Sequence, residues 1–124
     1  MPNASTISIV DDDASVREGL ADLVSSMGYQ AKTFRRAEHF LKSHWLRNTS
    51  CLIADVQMPE MTGLELHSAL ADLGIKMPTI LITAFPNNDD RDRALNAGVS
   101  CYLTKPFLKG ELIKCIRLTL GHAV

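Results

Sequence analysis

Residues 6–28, TISIVDDDASVREGLADLVSSMG, contain one complete strand–turn–helix unit, and the fold follows from how they are read. Thr6–Val10 is a short apolar run with β-branched residues that stops at three consecutive aspartates. An apolar run without strict alternation is what a strand covered on both faces needs. Asp13 can accept the first unpaired N–H groups of a helix. Val16, Leu20, Leu23, Val24 and Met27 then recur at helical spacing, and Gly28 follows as a helix-ending residue.

The same unit recurs along the chain. Strands are expected at Gln30–Phe34, Cys51–Ala54, Thr79–Thr83 and Ser100–Thr104. The first of these alternates and is more polar, as suits a sheet edge, whereas the other three are apolar enough to be covered on both faces. Helices are expected at Arg36–Leu46, with Phe40 and Leu41 toward the core, and along the stripe Leu66, Ala69, Leu70 and Leu73 up to Gly74. A short polar helix is expected over Asp89–Ala97, before Gly98. The last, Lys109–Leu120, should bury Leu112, Ile113, Ile116 and Leu120 ahead of Gly121. This alternation with short links predicts an α/β fold, a doubly wound (βα)5 five-stranded parallel sheet with helices on both faces. For five strands the flavodoxin-like order 2-1-3-4-5 is expected.

A length of 124 residues suits one domain, spanning 1–124, and 46% hydrophobic with 22% charged residues is a normal globular mix. With 13 basic against 14 acidic residues the net charge is −1, so there is no electrostatic case for nucleic acid or an anionic membrane as direct partner. No apolar run approaches a membrane span, and the first residues lack the basic start and apolar stretch of a secretory signal. Three cysteines, Cys51, Cys101 and Cys115, form no CxxC pair and are read as free thiols of a cytoplasmic protein. His39, His44, His67 and His122 have no ligand spacing and are read as surface residues, and Trp45 as a helix-end packing residue.

Sheets of this type bind ligands outside the carboxyl ends of their strands. Four strands end there in chemically capable residues: Asp11-Asp12-Asp13, Asp55, Thr83 and Lys105-Pro106. Each alone has a plainer reading as a cap, a turn or a structural threonine. Together they converge on one edge of the sheet. Crowded carboxylates repel unless a cation intervenes, and a hard divalent ion with oxygen ligands resolves the repulsion. Lys105 adds an ammonium, and Thr83 a hydroxyl able to donate to a phosphoryl oxygen. That set describes phosphoryl transfer to a carboxylate nucleophile.

From Ser8 to about Leu120 the chain resembles the response-regulator receiver domain of two-component signalling. The resemblance is carried by Ile9-Val10-Asp11-Asp12-Asp13, by residues 54–63 (ADVQMPEMTG), by Ile82-Thr83-Ala84 and by residues 102–107 (YLTKPF). It implies that Asp55 accepts a phosphoryl group from a sensor histidine kinase or phosphotransfer protein. Mg²⁺, or Mn²⁺, would be held by Asp11, Asp12, Asp55 and the backbone carbonyl of Gln57, with Asp12 a direct ligand and Asp13 left as the helix cap. Thr83 and Lys105 would contact the phosphoryl group, the Lys105–Pro106 bond would be cis, and Tyr102 would be the switch aromatic. The family implies a phospho-acceptor that assists its own phosphorylation and dephosphorylation, not an enzyme in its own right. Its output face would comprise the fourth helix, fifth strand and fifth helix, with homodimerisation on phosphorylation possible.

The pattern is most similar to receivers of the FixJ type, which commonly precede a DNA-binding domain; a stand-alone receiver is the alternative. Phe85 stands where many relatives carry a polar residue, and Pro86-Asn87-Asn88 makes an unusual link. In the family, the positions of Phe85 and Gln57 flank the attacking water and influence phosphoryl lifetime. A haloacid-dehalogenase-type phosphatase would need D-x-D, but Asp55-Val56-Gln57 lacks the second carboxylate. A flavin or nucleotide carrier would need a glycine-rich phosphate loop, and its phosphate would face three carboxylates.

Overall fold

The computed structural model describes residues 5–121. Five strands, β1 (Thr6–Val10), β2 (Gln30–Phe34), β3 (Cys51–Asp55), β4 (Thr79–Thr83) and β5 (Cys101–Thr104), form one parallel sheet of order β2-β1-β3-β4-β5. Between and after them run α1 (Ala14–Ser26), α2 (Ala37–Leu41), α3 (Gly63–Asp72), α4 (Asn88–Asn96) and α5 (Lys109–Thr119).

The period of two along each strand divides the core in two. Ile7, Ile9, Cys51, Ile53, Ile80 and Ile82 face one way and pack with Leu20 and Val24 of α1 and Leu112 and Ile116 of α5. Val10, Leu52, Ala54 and Leu81 face the other way, toward Phe40 of α2, Leu66 and Leu70 of α3 and Ala94 of α4. β1, β3 and β4 are therefore buried at every position, which is why they read as continuous apolar runs.

Four expectations need correction. The helix expected over Arg36–Leu46 stops at Leu41, and a separate 3₁₀ turn covers His44–Arg47. Ser43 causes the break: its hydroxyl donates to the Phe40 carbonyl at 2.8 Å and accepts from the Trp45 N–H at 3.1 Å. A short hydroxyl side chain thus competes with the helical ladder and caps a new turn. Trp45 sits on that turn with the Lys32 ammonium 4.6 Å from its ring centroid, a cation–π contact. Second, Leu73 caps α3 and is half exposed, beyond the part of the stripe that reaches the sheet. Third, β5 begins at Cys101 and is only half-buried, because it forms the second sheet edge. α5 likewise buries Leu112 and Ile116, while Ile113 and Leu120 stay half-buried.

No helix among the described residues is long and apolar enough to cross a membrane. Cys51 is buried, and burial, with Cys101 and Cys115 nearby, pushes its thiol up to about 12. Cys115 is pushed up to about 12 by burial and by its contact with Cys101. Thiols so reluctant to ionise are poor nucleophiles. His39 and His44 are exposed and His67 is half-buried, where burial pulls its pKa down; His122 lies outside the described residues.

Candidate functional site

Parallel register puts the carboxyl ends of four strands side by side: Val10 is level with Ala54, Asp55 with Ile82, and Thr83 with Thr104. The residues that end or follow these strands meet at one sheet edge. Asp11 is wholly buried, Asp55 is buried, and Asp12 lies at the surface. One carboxylate oxygen from each of the three lies within 4.8 Å of the others.

The carboxylates are held by donors from their own turns. Asp11 Oδ1 accepts the Asp13 N–H at 2.9 Å, and Asp55 Oδ1 accepts the Gln57 N–H at 3.2 Å. The remaining oxygens share one cation: Lys105 Nζ lies 3.1 Å from Asp11 Oδ2 and 3.4 Å from Asp55 Oδ2. Lys105 is brought there by the backbone. Its N–H donates to the Thr83 carbonyl at 2.7 Å, and its bond to Pro106 is cis. Asp13 accepts the Val16 N–H at 3.3 Å and so caps α1.

Burial first, and the Asp11 charge second, push the Asp55 carboxyl above its ordinary 3.8; Lys105 and the Gln57 N–H pull the other way. Burial pulls the Lys105 ammonium down, but the two carboxylates outweigh it and hold it above its ordinary value. Three carboxylates and one ammonium leave the cluster negative. Its oxygen-only donor set, partly open through Asp12, fits a hard divalent cation.

Thr83 is also buried, but its hydroxyl is turned sideways. It donates to Gln57 Oε1 at 2.7 Å and accepts the Phe85 N–H at 3.0 Å. The Tyr102 hydroxyl is already buried near Thr83 and Asn87 without a well-formed hydrogen bond to either. Phe85 is 71% exposed.

The structure adds residues that sequence reasoning passed over. Arg17 Nη1 donates to the Asp11 carbonyl at 2.7 Å, pinning the acidic turn to α1. Gly63 opens α3, and a Cβ there would lie 2.6 Å from the Asp55 carbonyl oxygen and 3.0 Å from Leu81 Cδ2. Thr62 caps α3 by accepting the Glu65 N–H at 3.1 Å, and Glu65 returns the favour to the Thr62 N–H at 2.9 Å. The Thr62-x-x-Glu65 spacing signalled that cap. Nothing local signalled the Arg17 contact or the Gln57–Thr83 bond, which join separate segments.

If Asp12 contributes to cation binding, its removal should uncouple stability from the ion. Mg²⁺ at ten times its Kd should stabilise the wild-type chain by about 1.4 kcal/mol through mass action. Thermal melts of Asp12→Ala over the same titration should show less than about a third of that gain. An equal rise in both would place Asp12 outside the cation site.

A family model for the response regulator receiver domain matches residues 7–117. Among curated proteins, the chain is 41% identical over 119 residues to the response regulator protein TmoT of Ectopseudomonas mendocina, covering 96% of this chain and 54% of that protein. It is 34% identical to the transcriptional regulatory protein FixJ of Rhizobium meliloti (strain 1021), covering 96% and 58%. The chain therefore spans little more than half the length of these relatives. Among solved structures, the response regulator StyR superposes with a TM-score of 0.88 at 37% identity, covering 95% of this chain and 60% of that one. FixJ-N superposes at 0.85 and 35% identity, covering 100% and 98%.

Proposed function

Because this chain belongs to the response-regulator receiver domain family of two-component signalling, we propose that Asp55 accepts a phosphoryl group and that this group resets the α4–β5–α5 face. One observation carries the reading. Lys105 reaches Asp11 and Asp55 together, beside three carboxylates whose oxygens cluster within 4.8 Å.

The donor in this reading is the phosphohistidine of a sensor kinase or phosphotransfer protein. An Asp55 carboxylate oxygen attacks phosphorus, the P–O bond forms as the P–N bond breaks, and the imidazole leaves with the bonding pair. Asp11, Asp12, Asp55 and the Gln57 carbonyl would hold Mg²⁺ or Mn²⁺, which when bound neutralises charge on the phosphoryl oxygens. Lys105 then exchanges its contact with Asp55 for one with a phosphoryl oxygen, keeping Asp11 as its second partner. Thr83 can supply a hydroxyl to another oxygen. The domain is thus a phospho-acceptor that assists its own chemistry, acting in the cytoplasm. It would serve either as the receiver half of a transcriptional regulator or as a stand-alone receiver, without touching nucleic acid or membrane itself.

The fourth helix is suited to respond. It buries only Ala94, carries Asp89 and Asp90 in its first turn and hangs on the Asn87 cap. Few apolar contacts anchor such an element, so its local opening costs little. The face mixes Arg91, Arg93 and Lys114 with Asp89, Asp92 and Glu111, which suits self-association or a partner of matching signs. Amide hydrogen exchange with and without beryllofluoride and Mg²⁺ should change mainly over residues 83–120. Thr83→Ala should suppress those changes while Asp55 still takes label. Changes confined to α1 and α2 would show that another face signals.

A further inference from the structure

We propose that the Gln57 side chain is a latch on Thr83, a positioning residue that sets how readily the domain switches. This rests on the reading of Asp55 as phosphoryl acceptor. A threonine hydroxyl has one proton to give. Here that proton goes to Gln57 Oε1 at 2.7 Å, while Thr83 Oγ1 itself accepts the Phe85 N–H at 3.0 Å. Thr83 is fully buried, so water does not compete for the hydroxyl. To donate to an oxygen on Asp55, Thr83 must first release Gln57. The phosphoryl group therefore displaces an existing hydrogen bond instead of capturing an idle hydroxyl.

The position of Gln57 gives the latch its meaning. Its backbone N–H donates to Asp55 Oδ1, so a single residue touches both the acceptor carboxylate and the responding hydroxyl. On the far side, Thr83 holds the Phe85 N–H, at the start of the link that runs through Pro86 into the Asn87 cap of α4. The connected path is Asp55, Gln57, Thr83, Phe85 and α4. Opening the Gln57–Thr83 bond removes the restraint at its centre. This role differs from any effect of Gln57 on phosphoryl lifetime, because it acts on the switching equilibrium.

Gln57→Met keeps side-chain length and removes the amide acceptor. Titrated with beryllofluoride in Mg²⁺ and followed by NMR shifts of the Asp55 and Val56 amides, which report occupancy whether or not α4 responds, it should reach its midpoint at about fivefold lower beryllofluoride than wild type. That factor is the size of one net hydrogen bond withdrawn from the unswitched state. Thr83→Val, of similar shape but without a hydroxyl, supplies the second arm. On that background Gln57→Met should leave the midpoint unchanged, since no latch remains to open. The same fivefold change on both backgrounds, or none on either while wild-type Asp55 still takes up label, would overturn the latch alone. Failure of wild-type Asp55 to take up label from acetyl phosphate would overturn the underlying reading as well.

Discussion

Asp55→Asn gains no mass on incubation with acetyl phosphate and Mg²⁺, whereas the wild-type chain gains about 80 Da, a net addition of HPO₃ as one hydrogen is replaced by PO₃H₂. The expectation is a complete loss, because the amide removes the nucleophilic oxygen anion while leaving the shape of the site nearly intact. Asp11 does not substitute, being wholly buried with one oxygen on the Asp13 N–H and the other on Lys105. Full labelling of the variant would place the acceptor elsewhere. The same substitution should alter stability in the metal-free protein. Folding raises the Asp55 pKa, so the folded chain holds this proton more tightly than the unfolded one. Stability from this group therefore falls as pH rises from 3.8 through the raised folded value, and the loss is complete above it. In EDTA at pH 7, Asp55→Asn should melt above wild type, with the difference shrinking as pH is lowered through that window. A variant less stable than wild type at pH 7 would show that the Lys105 contact outweighs the burial of the charge.

Gly63→Ala should cost about 1–3 kcal/mol and slow labelling of Asp55 by up to about 100-fold. Two effects oppose each other. Alanine in a helix is worth about 1 kcal/mol over glycine, which would favour the variant. Against it, the new methyl group would sit 2.6 Å from the Asp55 carbonyl oxygen and 3.0 Å from Leu81 Cδ2. The first of these is backbone inside β3, so relief requires the strand end and α3 to separate, and the clash wins. Because the displaced atom belongs to Asp55, activity suffers along with stability. Gly19→Ala is the control: nothing lies within 4 Å of its added Cβ, so propensity acts alone and stability should rise by about 0.5–1 kcal/mol. Denaturant unfolding of the two variants separates the effects, and a stabilised Gly63→Ala would remove close packing as the reason for glycine there.

The ease with which the sequence can be read tracks how local each interaction is. Apolar runs of five residues with glycine-ended helices between them express burial and capping, which neighbours in the chain decide, so β1, β3, β4 and α1 stand out. The break at Ser43 was missed because a serine inside a helical pattern carries two local options, and Phe40 and Trp45 satisfied its hydroxyl in the non-helical one. The reduced burial of β5 was missed because residues 101–104 read as an apolar run, although the expected order 2-1-3-4-5 already put this strand at an edge.

By itself, then, the sequence determined the (βα)5 alternation and the strand-end residues Asp11, Asp12, Asp55, Thr83 and Lys105, because in a parallel sheet every strand end points to the same edge. Tertiary structure alone decided how those residues engage. It split the Lys105 ammonium between Asp11 and Asp55, sent the Arg17 guanidinium to the Asp11 carbonyl, pressed Gly63 against Asp55, and committed the Thr83 proton to Gln57. Such choices are made among donors and acceptors from different segments, over differences of an ångström or less. No spacing along the chain encodes that scale; it is set when the sheet and its helices close on one another.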